Sequence, residues 1–148
     1  MSSKIPIGYI DIRVFSHATE DTEKVLKAVR NMIPPEEVDN IVFRKTSLTG
    51  HHGNPIVLFE TRIKEKKAVE AIFRSLSSGL SSLDKEQLSS EIKQHLEKGN
   101  LYVRLDKQSA YLNEFKFKPT DSIHMRIHFQ KSRPEDVIDI CRKYGMLP

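Results

Sequence analysis

The segment "SIHMRIHFQ", residues 122–130, alternates without interruption. Ile123, Met125, Ile127 and Phe129 fall on one side of an extended chain, and His124, Arg126, His128 and Gln130 fall on the other. A two-residue period with one apolar side predicts a half-buried strand over 123–130. Such a strand must lie in a sheet that is covered on one face. A second alternating segment, "IGYIDIRVFS" at 7–16, places Ile10, Ile12 and Val14 against Asp11 and Arg13.

The cover comes from segments of helical period. Val25, Leu26, Val29, Met32 and Ile33 recur at helix spacing, with Thr19 as the expected N-cap, Glu20, Asp21 and Glu23 at the positive end, and Pro34-Pro35 as the stop. Glu65 to Ser78 carries Val69, Ile72, Phe73 and Leu76 on one stripe. Asp84 with Gln87 resembles a capping box that opens a helix to about Lys98, closed by Gly99-Asn100. Ser132 with Glu135 suggests another box, with Pro134 early in a last helix. Further strands are expected at 41–48, 56–63, 101–106 and 112–117, the first two forming a hairpin.

The order is therefore β-α-β-β-α-α-β-β-β-α. It predicts an α+β two-layer sandwich, with a mostly antiparallel, mixed sheet and helices packed on one face. The other face is open or carries the ligand. A length of 148 residues suits one domain spanning 1–148.

Charge is unevenly placed. Residues 101–133 carry seven basic and three acidic residues, which matches the whole chain's net charge of +4. Two readings follow: a polyanion partner, or a solvated sheet face. The single Cys141 excludes an internal disulfide and any zinc site built on two or more cysteines. No leader-like segment opens the sequence and no apolar run reaches membrane-span length, so a soluble, cytoplasmic protein is expected.

The loop "GHHGNP" concentrates chemistry. Gly50 and Gly53 can take positive φ and present N–H groups, Asn54 offers both donor and acceptor, and His51 and His52 can stack on a base or bond a phosphate. A plain hairpin turn uses the same glycines and Asn-Pro step. Adjacent histidines chelate poorly, and His124 and His128 lie roughly 13 Å apart on a strand, so no metal site is expected. Arg104 and Lys107 could meet phosphates, with Gln108 reading a base edge and Tyr102 or Tyr111 stacking. No hydrolase elbow, zinc-helix motif, phosphate loop or dinucleotide fingerprint is present, and no cofactor is expected.

"SHATED" after the first strand, "GHHGNPI" in the hairpin and "YVRLDKQSAY" after the third helix occur in a characteristic order. With these motifs the chain resembles an archaeal RNA-binding family often labelled "predicted exosome subunit", over about Gly8 to Tyr144. The resemblance implies a sandwich similar to the ribosomal large-subunit protein that binds 5S rRNA, RNA as ligand, and no catalysis. By motif it implies three contact sets. The first is His17 with Glu20 and Asp21, the second is Gly50, His51, His52, Gly53 and Asn54, and the third is Arg104, Lys107 and Gln108 with Asp106. The acidic members would orient Arg or His side chains. RNA-processing proteins are the further partners implied. The rival expectations are a protein-interaction module, a homodimer included, and a metal-dependent RNA hydrolase using His17, His51 and nearby carboxylates.

Overall fold

The computed structural model describes residues 5–50 and 52–148. Strand β1 (Ile7–Ser16) is followed by helix α1 (Thr22–Asn31) and a short helix α2 (Pro35–Val38). Strands β2 (Arg44–Thr49) and β3 (Pro55–Ile63) form the expected hairpin. Helices α3 (Lys66–Gly79), α4 (Ser82–Ser90) and α5 (Ile92–His95) lead to β4 (Leu96–Glu97) and β5 (Asn100–Asp106). Helix α6 (Lys107–Tyr111), strand β6 (Ser122–Phe129) and helix α7 (Pro134–Lys143) complete the order. The six strands form one sheet, ordered β2-β3-β1-β6-β5-β4, and every described pairing is antiparallel. The parallel component of the expected mixed sheet is thus not found among the described residues.

The strand periods select the faces. Ile10, Ile12 and Val14 of β1 and Ile123, Met125 and Ile127 of β6 are all at most 2% exposed. They pack with Leu101, Val103 and Leu105 of β5 and with helix residues Val29, Ile72, Phe73 and Leu76. Helices cover this face of the sheet, and the alternate residues line the open one.

Several local expectations change. The cap of α1 is Asp21, whose carboxylate accepts from Glu23 N at 3.0 Å, rather than Thr19. Ser81 caps α4 by accepting from Asp84 N at 3.1 Å, so Asp84 lies inside the helix. The expected helix to Lys98 breaks after Ser90. Lys98 and Gly99 take φ of 51° and 83° and join β4 to β5 as a two-residue hairpin. Ser132 makes no cap; α7 begins with Arg133 as N-cap and Pro134 in the first turn.

The strand expected at 112–117 is also absent. Just before it, Asp106 accepts from Ser109 N and Oγ at 3.2 and 2.7 Å and starts α6. Only a lone bridge, Leu105 to Phe117, remains of the alternation there.

Ile127 is fully buried at the centre of the sheet. Ile127→Ala is expected to lower unfolding free energy by about 2–5 kcal/mol, read by urea denaturation, because the rigid core cannot refill the cavity.

Candidate nucleic-acid interface

Strand register decides where the three motifs lie. Ser16 pairs with Val57, so the end of β1 adjoins the start of β3 and the hairpin tip just beyond it. Asp106 pairs with Ser122, so β5 ends where β6 begins, and Arg13 and Arg104 both oppose His124. His17, Gly50 and 52–54 of the hairpin tip, and residues 104–108 therefore occupy one end of the sheet.

Lys107 ties two of these segments together. Its ammonium donates to the Phe15 carbonyl at 2.6 Å, to Glu20 Oε1 and Oε2 at 3.0 and 3.2 Å, and to Asp121 Oδ1 at 2.8 Å. Only 11% of the Lys107 side chain is exposed, so this cation is committed to the fold. Glu20 Oε1 also accepts from His17 N at 2.9 Å, and His17 Nε2 lies 3.1 Å from Asp121 Oδ1. The Lys107 hydrogen bond and charge hold the Asp121 carboxyl below its usual pKa, with His17 adding to the effect. Among the described residues, His17, Glu20 and Asp121 are the donors close enough to share an ion. The Lys107 ammonium already binds those carboxylates. Asp106 and Asp21 serve as the helix caps described above.

The hairpin tip is shaped by its glycines. Gly50 N donates to the Asn54 carbonyl at 2.6 Å, and Gly53 N donates to the Gly50 carbonyl at 3.0 Å. Both N–H groups are spent inside the turn rather than presented outward. Gly53 has φ of 77°, and a Cβ on Gly50 would lie 2.8 Å from Ile56 Cδ1. His52 and Asn54 are exposed, as is Gln108 across the sheet. His51 lies outside the described residues.

Arg104 belongs to a different surface as well. The open sheet face carries a cross-strand row in direct register: Arg44, Glu60, Arg13, His124 and Arg104. A second row sets Arg62, Asp11, Arg126 and Tyr102 side by side. Arg62 grips Asp11 with two bonds at 2.8 and 3.0 Å, and Arg126 holds the same carboxylate at 2.6 and 3.1 Å. Burial would raise the Asp11 pKa, but these guanidinium bonds outweigh it and hold the carboxyl low. Arg44 pairs with Glu60 at 2.7 Å, and Arg104 donates to the Pro119 carbonyl at 2.8 Å. Both rows line a concave cleft of about 1180 Å³.

Sequence reasoning missed Arg13, Arg44, Arg62 and Arg126 as a group. Their signal was the polar phase of each alternating strand. Which polar phases align depends on strand order, which periodicity does not encode.

Two checks follow. Lys107→Met is expected to cost about 1.5–3 kcal/mol in thermal or urea unfolding, the worth of hydrogen bonds to charged groups. It should also flatten the acid loss of stability, since the low Asp121 pKa contributes stability that is lost as pH falls below 3.8 through the folded value. His124 is held below its ordinary value of 6.5 by burial, with Arg104 and Arg13 adding repulsion. The unfolded chain thus takes up this proton first. Stability should fall as pH drops through 6.5 toward the folded value, and less so in His124→Gln.

Comparison with known proteins identifies the family. A family model described as "RNA binding" matches residues 9–129. The RNA-binding protein PAB1135 of Pyrococcus abyssi is 37% identical over 149 residues, covering 97% of each chain. A solved DUF54 protein from Methanothermobacter thermautotrophicus superposes with a TM-score of 0.76 at 28% identity, covering 93% of this chain and 97% of that one. A DUF54 structure from Archaeoglobus fulgidus gives 0.78 at 26% identity, over 93% and 99% of the two chains. With the family model spanning 9–129 and a relative 37% identical over almost the whole chain, the chain belongs to this RNA-binding family.

Proposed function

We propose that the protein binds RNA without transforming it, and does so first at the end of the sheet where the three motifs meet. The observation that carries this reading is that His17, Gly50 and 52–54 of the tip, and the 104–108 segment share one end of the sheet by strand register, with the Lys107 bonds tying the first segment to the last. Exposed His52, Asn54 and Gln108 are the base and sugar contacts, and Arg104 is a phosphate contact. His17 and His51 complete the contact set, the latter on its motif alone. Gly50 and Gly53 hold the tip in shape. Lys107, Glu20, Asp21 and Asp106 act by positioning, since their charges are used in ion pairs and caps.

The Pyrococcus abyssi relative is an RNA-binding protein by name, which supports the ligand class. Work beside RNA-processing proteins, the exosome among them, and a cytoplasmic location belong to the same reading and rest on the family label. Among the described residues no helix is long and apolar enough to cross a membrane.

Fluorescence anisotropy with single-stranded and hairpin RNA tests the proposal. Affinity should fall steeply as salt rises from about 50 to 200 mM, through counterion release. The double change His52→Ala with Gln108→Ala should cost on the order of 1–3 kcal/mol of binding with little change in thermal stability. Absence of binding to every RNA at about 50 mM salt would refute the reading. Cleavage of the RNA that stops on adding a chelator would replace it with a metal-dependent hydrolase.

A further inference from the structure

The open sheet face offers a site that the three motifs touch only through Tyr102 and Arg104 at its margin. We propose that this face is a track for the backbone of an unpaired RNA strand, crossing the β-strands along the row from Arg44 to Arg104. The inference rests on the RNA-binding reading above and extends it to a second surface.

Charge identifies the class of ligand. The face carries five guanidinium groups, from Arg13, Arg44, Arg62, Arg104 and Arg126, against the carboxylates of Asp11 and Glu60. Both carboxylates are already bound, Asp11 by two arginines and Glu60 by Arg44. Arg13 has no ion-pair partner among the described residues, although it sits between Glu60 and His124 in register. A positive surplus gathered in a concave cleft attracts polyanions and repels a second copy of itself. Self-pairing through this face would set the same surplus against itself, so a homodimer is not its occupant.

Shape and chemistry favour a strand of nucleic acid over a single anion. Arg44 on β2 and Arg104 on β5 are four strand spacings apart, about 19 Å, which is room for several phosphates in line. His124 stands between Arg13 and Arg104 in the row, and as a neutral imidazole it can donate one hydrogen bond. Tyr102, which is 37% exposed, borders the row and offers a ring for base stacking. Arg62 lies 4.0 Å over the Tyr9 ring, so the neighbouring row also presents flat cationic surface. The row begins where the motif end stops: Arg104 belongs to both. One strand can therefore pass from the hairpin end onto the sheet.

The test compares charge-matched variants in the full chain. Arg13→Gln with Arg44→Gln should weaken binding to single-stranded RNA on the order of ten-fold. It should also make the slope of log affinity against log salt shallower by about 1.4, or about 0.7 for each lost phosphate contact. Arg13→Lys with Arg44→Lys keeps the charge and should keep most of the slope; it also reads the site if the Gln pair proves unstable. Lys67→Gln with Arg142→Gln removes the same charge from exposed positions on α3 and α7 and should change affinity by no more than about two-fold. Equal affinity in the Gln pair and the helix-side pair would overturn the track and leave an acidic protein as the occupant of the face. A loss confined to duplex RNA would overturn it as well. Failure of the wild-type chain to bind any RNA would instead remove the reading on which the track rests.

Discussion

The pairing of β1 with β6 sets what every other part of the molecule can be. Ile10 faces Ile127 and Ile12 faces Met125 on the helix side, while Asp11 faces Arg126 and Arg13 faces His124 on the open side. A slip of one residue would exchange those faces and drive guanidinium and carboxylate groups under the helices. The hydrophobic requirement of the core thus fixes the charge pattern of the opposite surface. The neighbouring strands inherit the register, and it is this inheritance that lines up Arg44, Glu60, Arg13, His124 and Arg104 across five strands.

A second constraint acts at the end of the sheet. Lys107 gathers the Phe15 carbonyl, Glu20 and Asp121 around one mostly buried ammonium. The three oxygen-bearing segments approach from the end of β1, the loop after it and the turn before β6. The acidic residues of the motifs, which sit oddly with phosphate binding, are explained by this role. They hold one lysine and cap two helices, while His52, Asn54 and Gln108 stay exposed. The same division applies on the sheet, where Asp11 spaces Arg62 and Arg126 and keeps both flat against the strands.

Much of this was legible in the residues. The alternation within 7–16 and the uninterrupted one of 123–130 specified the two central strands, and the Gly-containing turn specified the hairpin. The helical stripe of Val69, Ile72, Phe73 and Leu76 located α3 to within one residue at each end. The failures came where a local side-chain bond outcompeted periodicity. Asp106 captured Ser109 and made a helix of a segment adjoining one that alternates like a strand, and Lys98-Gly99 formed a tight turn where a helix end was expected. For the candidate site, the motifs picked out segments that lie at one end of the sheet, but not the use made of Lys107. That use depends on Phe15, Glu20 and Asp121 meeting it from distant parts of the chain. The arginine rows escaped for a similar reason, because alignment across strands is a property of topology.

Backbone amide NMR of the full chain, titrated with single-stranded RNA, tests the central claim most directly. The account predicts shifts along β1, β5, β6 and the β2–β3 hairpin, continuous from the tip across the open face, with α3 and α7 unmoved. Shifts confined to the helix-covered side, or scattered evenly over the basic residues of the chain, would contradict it.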